Sequence, residues 1–474
     1  MKKRSSLLLF LLFISLILFY QKSFNNFFFQ DDFFNLRLAQ EHKLLDAFNI
    51  FKKPMVDFYF YRPFSTQLYW DVGWKLFRLS PQGYHIINFL FFLTSIFLVY
   101  KIALHIRLDE KTALLTSFFY AYSGSHFYRL FFLSQFQELS LAVFTFATLI
   151  LFLKKSSWTP LLFILALTTK ETGIMIVPFM FVLIFLEKGL KKEYFMLFYY
   201  CLSILLIYLV ARIFFFGFSG GEVYKFDFNL KKILNNFFWY GLWSLGLPEA
   251  YVNVKIFQLP TIINLKLFTQ FKSWGNPTLV FFGLFILLII KPVVGLWKKI
   301  YRTIIQAIGC FLIFLLPVAF FPFHKFPYSL SVPLLGSSIL LAYATSKLNN
   351  KYLSLICITY LLLFVTAYQF NLSDHWAVRK AYTAKAVFDY FKKNYPKKPN
   401  KINIYFRNTT DPLCLFIPSN VWHFSQEVSS AIGGMDGLRL LYDDNKLLVY
   451  FEDLDLDKHL LPGSLVIDSR KFIR

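Results

Sequence analysis

The chain of 474 residues is 57% hydrophobic and 21% aromatic, and its 50 Lys and Arg against 27 Asp and Glu give a formal net charge of +23. Only 16% of the residues are charged, against about 25% in typical soluble proteins, so an ordinary soluble domain is excluded. The basic residues form short clusters between long apolar runs rather than one polar face. This distribution excludes a nucleic-acid groove and is typical of a polytopic membrane protein.

The apolar runs are long enough to cross a membrane as helices, which takes roughly 20 residues each. The charge pattern is needed to assign spans in two further regions, 112–122 and 159–186. If every basic cluster between runs is cytoplasmic, each region belongs to a hairpin that crosses the membrane and returns. We therefore predict eleven spans, with the N-terminus inside and the C-terminus outside. The clear runs are 5–21, 85–105, 127–153, 194–216, 276–297, 303–323, 328–346 and 352–370.

This topology leaves two long loops and a polar tail outside the membrane. Loop 22–84 has apolar residues at helical spacing over 36–51, and loop 217–275 mixes polar and aromatic residues over 230–247. Both patterns predict helices that lie flat on the membrane, with the aromatic residues of the second loop at headgroup depth.

The tail, residues 371–474, is more polar than the apolar runs before it. Residues 377–391 predict a basic amphipathic helix, and 402–406, 447–451 and 465–467 predict short strands. We expect an all-α polytopic membrane domain over 1–370, followed by a small extracytoplasmic α/β domain over 371–474.

Five polar features stand apart from the apolar runs, and the predicted topology places all of them on the outer face. Ionisable groups in or beside a membrane are costly, so each is a functional candidate by default. Random placement would have divided them between the two faces. The features are Asp31-Asp32, Tyr61-Arg62-Pro63, His85 with Asn88, Lys170-Glu171-Thr172-Gly173 and His324-Lys325, with Gln135, Gln137 and Glu138 as additions.

Each feature taken alone also has a purely structural interpretation. An acidic pair caps the start of a helix, an arginine extends toward lipid headgroups, and a His and an Asn one turn apart satisfy polar contacts in a core. The Lys-Glu dipeptide forms a weakly paired surface turn, and the His-Lys dipeptide contacts headgroups. The location of all five on one face favours a functional site.

The order of these motifs resembles the GT-C superfamily of glycosyltransferases, which use polyprenyl-phosphate-linked sugars. The similarity is greatest to the protein O-mannosyltransferase branch: an acidic pair after the first span, then Tyr-Arg-Pro, His-x-x-Asn, and Lys-Glu-Thr-Gly followed by a proline. The resemblance covers about residues 1–370, and only the ordered set has any specificity. The tetratricopeptide tails of some relatives are absent here, so their acceptor preferences are not transferred.

The resemblance implies a lipid-linked donor whose headgroup lies in an outward-facing cavity. A carboxylate of the first outer loop deprotonates an acceptor hydroxyl, which displaces the polyprenyl phosphate with inversion at the anomeric carbon. Asp31 matches that general base, which must lie within hydrogen-bond reach of the hydroxyl. Asp32 then holds sugar hydroxyls, orients the acceptor or shares a divalent ion with Asp31. Which of the two is the base is left open.

The leaving phosphate gains charge, so cationic groups are expected around it. The candidates are Arg62, Lys170, His324 and Lys325, although family members commonly have Arg at the His-Lys position. Glu171 is expected to hold Lys170 in place. The residues expected to line the sugar or acceptor site, or to support the first loop, are Tyr61, His85, Asn88 and Glu138.

The sequence therefore predicts an inverting membrane glycosyltransferase that acts outside the cytoplasm. Its acceptor is expected to be a protein, a lipid or a glycan. The enzyme is expected to be surrounded by membrane lipids and to have no nucleic-acid partner. A flippase or transporter of lipid-linked glycans is the alternative from another class, although it usually shows repeats and charges at mid-membrane. A glycan polymerase or ligase with a related donor is chemically close. A catalytically inactive scaffold with a partner-binding tail is a third alternative.

Overall fold

The computed structural model describes residues 3–41, 61–186, 191–216, 225–251, 274–296, 302–400, 403–408, 423–455 and 463–473. Within these ranges the chain is mainly helical, with one small sheet. The helices are α1 (Lys3–Tyr20), α2 (Asp31–Glu41), α3 (Tyr69–Phe77), α4 (Pro81–His105), α5 (Glu110–Ala121), α6 (His126–Phe131), α7 (Phe136–Leu153), α8 (Thr159–Thr169), α9 (Ile176–Leu186), α10 (Lys192–Ala211), α11 (Leu230–Ser244), α12 (Gly275–Leu296), α13 (Arg302–Ala319), α14 (Leu334–Thr345), α15 (Asn350–Asp374), α16 (Trp376–Asn394), α17 (Phe424–Ile432) and α18 (Asp436–Tyr442). The strands are β1 (Ile404–Arg407), β2 (Val449–Phe451) and β3 (Leu465–Asp468).

Seven helical stretches in the described ranges are long and apolar enough to cross a membrane. The protein is therefore a helical, membrane-embedded protein, as predicted, while the count of eleven spans and their orientation stay predictions. Shorter apolar helices occupy Thr159–Thr169, Glu171–Leu186 and Leu334–Thr345. The seven stretches are Ser5–Asn25, Pro81–His105, Leu133–Leu153, Lys192–Phe215, Gly275–Leu296, Arg302–Ala319 and Asn350–Asn394.

Polar residues fix where several of these helices begin. The Asp109 side chain accepts a hydrogen bond from the backbone N–H of Thr112 at the start of α5, and the Asn349 side chain accepts one from Tyr352 at the start of α15. Helix α7 packs against both α4 and α8. Their buried apolar side chains belong to a first core that extends through most of the apolar helices.

Helix α11 lies close to the position predicted for a surface helix, but its aromatic residues do not all face outward. Trp239 and Trp243 are 2% and 1% exposed and pack into the first core, whereas Leu230 and Phe238 are exposed. The Asn236 side chain donates to the Ala319 carbonyl oxygen at 2.8 Å. Tertiary contacts therefore cover one face of α11, while its headgroup depth stays a prediction. The helical pattern predicted over 36–51 lies outside the described residues beyond Glu41.

The three described strands lie near the predicted positions and form a parallel sheet in which β1 is central. Parallel neighbours need crossover connections rather than tight hairpins, and α17 and α18 lie between β1 and β2 in the chain. Helix α16 lies where the basic amphipathic pattern predicted it. We call residues 376–473 the C-terminal region.

The C-terminal region shares a second hydrophobic core with the segments that surround α2. This core contains Phe33 and Leu36 of α2 together with Phe388, Ile432 and Leu438 of the C-terminal region. Phe33 stacks on Phe388 with ring centroids 5.2 Å apart. The predicted boundary at residue 370 lies inside α15, and the C-terminal region packs directly against the helix that begins with the acidic pair.

Candidate functional site

The acidic pair begins α2, and its two carboxylates have different surroundings. Asp32 is completely buried. Its Oδ1 accepts hydrogen bonds from the backbone N–H and the hydroxyl of Ser134 at 2.9 and 2.6 Å, and its Oδ2 accepts one from the Phe29 N–H at 3.2 Å. Asp31 is exposed, and its carboxylate accepts no hydrogen bond from the described residues. Successive helical side chains point about 100° apart, which separates the two environments.

Solvent exposure and neighbouring protein atoms both act on the Asp31 carboxylate. Water reaches the side chain, yet burial by the surrounding protein raises its pKa, while the charge of Lys380 lowers it. A carboxyl group that is open to solvent and still surrounded by protein atoms is accessible to a substrate and partly shielded from bulk water. Of the two carboxylates, Asp31 is therefore the one that solvent reaches.

The burial of Asp32 predicts a pH dependence of stability. Burial raises the pKa of Asp32 to about 8, although the hydrogen bonds from Ser134 and Phe29 oppose the rise. A carboxyl group with a raised folded-state pKa contributes stability below its unfolded pKa and loses it as the pH rises through the folded value. We expect the melting temperature of the detergent-solubilised protein to fall, relative to that of Asp32→Asn, between about pH 4 and pH 8. A difference independent of pH would contradict this expectation.

Residues just before and at the start of α7 contact both Asp32 and two of the cations. Ser134 holds Asp32, the Gln137 side chain accepts a hydrogen bond from Arg62, and Glu138 accepts one from Lys170. Ser134 and Glu138 are about one helical turn, roughly 6 Å, apart along the chain. One short segment therefore positions both Asp32 and Lys170.

Two carboxylates hold three cations next to this segment. Arg62 contacts one oxygen of Glu171 through Nε at 2.8 Å and Nη2 at 2.7 Å, and Arg212 lies 3.5 Å from the other oxygen. Lys170 pairs with Glu138, and both of these residues are buried. We call these five residues the cationic cluster. Among the described residues, these three cations and two carboxylates carry one formal excess positive charge.

The expectation that Glu171 holds Lys170 was wrong. Lys170 has extended backbone angles, with φ at −161° and ψ at 145°. In extended backbone, successive side chains point to opposite sides, so the neighbours in the Lys170-Glu171 dipeptide take different partners. Lys170 reaches Glu138 on α7, and Glu171 reaches Arg62 and Arg212.

The structure separates the two residues of the His324-Lys325 dipeptide. The Nε2 atom of His324 lies 2.7 Å from the Tyr328 hydroxyl. Burial, and then the charges of Lys170 and Arg62, lower the pKa of His324 to about 4, so the ring is neutral at pH 7 and lies near the cationic cluster. Lys325 is 4% exposed, and burial alone lowers its pKa to about 8. No described carboxylate pairs with Lys325.

Three other predicted site residues are buried in the surrounding framework. His85 faces two carbonyl oxygens, with Nδ1 3.1 Å from Leu130 and Nε2 2.9 Å from Asn26. The Asn88 side chain accepts a hydrogen bond from Tyr69 at 2.8 Å. Tyr61 is buried beside Arg62. His85 thus connects Asn26 to α6, and Asn88 connects Tyr69 to α4.

Tyr128 packs against the segment that follows the His324-Lys325 dipeptide. Its ring stacks on Tyr328, with centroids 5.1 Å apart, and the Tyr328 hydroxyl reaches His324. Tyr128 therefore lies against the tyrosine that contacts His324.

A small opening lies on the cationic side. Its empty volume, including space open to solvent, is about 260 Å³, which is below the usual size of a small-molecule site. Apolar residues of α7, α13 and the segment before α14 form the rest of its wall. The polar residues that line it are Glu138, Lys170, Thr172, Ser329 and Ser331.

Arg129 is a buried cation that the sequence analysis did not single out. Its side chain is 0% exposed and donates to the Tyr328 carbonyl at 3.1 Å, to the Ser125 hydroxyl at 3.3 Å and to Nδ1 of His126 at 2.6 Å. Among the described residues it contacts no carboxylate. The signal in the sequence was a single arginine within an apolar run, which is costly inside a membrane protein.

No group of three or more His, Cys, Asp or Glu in the described ranges has an arrangement that could hold a metal ion. Both oxygens of Asp32 already accept hydrogen bonds from protein donors. The divalent ion that the acidic pair permits therefore has no assembled ligand set within the described residues.

No protein-family model matches this chain, and no curated protein shows a significant match to it. The function must therefore be inferred from the arrangement of the site. That arrangement can remove a proton at Asp31 and can stabilise negative charge beside Lys170.

Proposed function

We propose that this protein is an inverting membrane glycosyltransferase in which Asp31 is the general base. The acceptor hydroxyl attacks the anomeric carbon of a polyprenyl-phosphate-linked sugar and gives its proton to Asp31. The bond between the anomeric carbon and the phosphate oxygen breaks, and polyprenyl phosphate leaves. The observation that carries the proposal is the contrast between an accessible Asp31 and an Asp32 whose oxygens are engaged in protein hydrogen bonds.

The cationic cluster supports the second half of this reaction. Lys170 has three N–H donors and lines the small opening while pairing with Glu138. It is the best placed of the cations to contact a phosphate oxygen. Arg62 is held by Glu171 and Gln137, so it contributes charge from a fixed position. A preorganised cation of this kind stabilises the charge that develops on the leaving phosphate.

The proposal includes the predicted topology of eleven spans, with a cytoplasmic N-terminus and the site on the extracytoplasmic face. It resembles the GT-C arrangement in having an acidic pair after the first apolar helix and cations at later loops. The acceptor is a hydroxyl of an exported protein, a lipid or an envelope glycan.

The experiment is a transfer assay with purified protein in proteoliposomes that contain a polyprenyl-phosphate sugar labelled in the sugar. Candidate acceptors are a Ser/Thr peptide, a glycolipid and an oligosaccharide. The proposal expects label on one acceptor, release of one polyprenyl phosphate per transfer, and inverted configuration in the product. Asp31→Asn is expected to abolish all three signals.

The same preparation separates the proposal from its alternatives. A flippase moves the intact labelled lipid to the other leaflet and leaves its glycosyl bond unbroken. A polymerase or ligase produces products that grow by more than one sugar or carry a preassembled glycan. Intact donor in both leaflets, with none of the acceptors labelled, contradicts the proposed transferase.

A further inference from the structure

Residue Gln30, immediately before Asp31, is held by the C-terminal region. Its φ of 53° lies in the left-handed region that residues with side chains rarely adopt. The Gln30 N–H donates to the Ala431 carbonyl at 3.0 Å, and its side-chain oxygen accepts a hydrogen bond from Lys380 at 3.0 Å. Unusual backbone angles persist where the surroundings fix them, often at functional sites.

Gly433 allows this contact to form. It ends α17 with a φ of 64°, and a Cβ atom on it would lie 2.7 Å from the Gln30 carbonyl oxygen. Only glycine fits both the left-handed turn and the close approach. Three points of the C-terminal region, on α16, on α17 and just after it, therefore hold the backbone that leads into Asp31.

Lys380 is the charged member of this contact. Its Nζ also donates to the Ser430 hydroxyl at 2.5 Å and lies 5.0 Å from the centre of the Trp376 ring. Lys380 is the charged residue whose field acts on the Asp31 carboxylate. The other groups around this site are Asp32 on α2, Tyr128 on α6 and Glu427 on α17, whose charge acts on Lys380.

We propose that the C-terminal region is part of the Asp31 site, and that Lys380 is the positioning residue that holds Gln30 and, through it, the chain that leads into Asp31. This inference rests on the proposed role of Asp31 as general base. It makes the C-terminal region a part of the reaction centre rather than a separate module that only binds the acceptor.

Lys380→Met tests the inference, with Lys380→Arg as the conservative variant and Lys385→Met as the matched control. Lys385 is exposed on the same helix. We expect Lys380→Met to lower kcat roughly 10- to 100-fold, since a displacement of about 1 Å at a reacting group can cost about 10²-fold. The acidic limb of its pH profile should move to higher pH, because the cation that lowers the pKa of Asp31 is gone. Lys380→Arg should restore the profile, and Lys385→Met should leave it unchanged.

A second readout does not depend on sugar transfer. Carbodiimide labelling of protonated Asp31, followed by peptide mass spectrometry across pH, reports its titration directly. Labelling should persist to higher pH in Lys380→Met, and to a smaller extent in Ser430→Ala, which keeps the charge and removes one contact. Ser430→Ala provides the test if Lys380→Met does not fold.

The two proposals fail in different ways. If wild type transfers no sugar but the labelling curve shifts as expected, the proposed function fails and the effect of Lys380 on the titration of Asp31 stands. If wild type is active while the pH profile and the labelling curve of Lys380→Met match those of wild type, the role of Lys380 is overturned.

Discussion

Asp31→Asn is expected to reduce sugar transfer by about 10²- to 10⁴-fold, which is the usual contribution of a general base. Asn keeps the size of the side chain but cannot accept the hydroxyl proton. The folded state should survive the change, because the described residues give the Asp31 carboxylate no hydrogen bond to lose. The loss should appear in kcat with little change in the KM for the lipid donor, measured under saturating acceptor.

Two companion variants make this result interpretable. Glu41→Gln changes an acidic residue at the other end of α2, where it pairs with Arg37 at 3.4 Å, and should leave transfer unchanged. Asp32→Asn should act mainly on stability, since it disturbs the contacts with Ser134 and Phe29. Full activity in Asp31→Asn together with loss in a well-folded Asp32→Asn would reverse the assignment of the base.

Glu138→Ala is expected to destabilise the protein by about 3–5 kcal/mol, because it leaves the buried Lys170 ammonium without its carboxylate partner. It also removes the acceptor of the Ser331 hydroxyl at 2.7 Å. Thermal unfolding of the detergent-solubilised protein measures this loss. Chemical denaturation of the same variant gives the change in the free energy of unfolding.

The double variant Glu138→Gln with Lys170→Met separates the buried charge from the loss of packing. Removing both charges should recover most of the stability, because a buried ion pair contributes little net stability beyond that of neutral groups of similar volume. Glu193→Gln is the surface control: its pair with Lys155 is exposed, so its loss should change the stability little. A double variant no more stable than Glu138→Ala would contradict the explanation by unpaired charge.

The regular elements of this fold follow closely from local sequence. Apolar runs predicted the long helices, and alternation over 402–406 and 465–467 predicted strands near β1 and β3. These signals are local, since a strand is recognised from its own residues and its turns. Three of the predicted site residues lie near one another, since the charges of Arg62 and Lys170 act on His324 although the three are far apart in the chain.

The pairings inside the site could not be predicted in the same way. The partner of Lys170 depends on where α8 packs against α7, and its sequence neighbour Glu171 was the natural but wrong choice. The role of α16 was hidden for a similar reason. Its pattern predicted a helix, but nothing local indicated that Lys380 reaches Gln30, 350 residues earlier.

The contact between Gln30 and the C-terminal region also sets an order of events during synthesis. The ribosome synthesises α2 long before Lys380 and Ala431. The acidic pair therefore lacks its contacts with the C-terminal region while the apolar helices insert. Contacts between such distant residues form late in folding. A nascent or interrupted chain would therefore carry Asp31 without the residues that hold it. On the proposed function, the C-terminal region completes the site last, and a half-built chain should not transfer sugar.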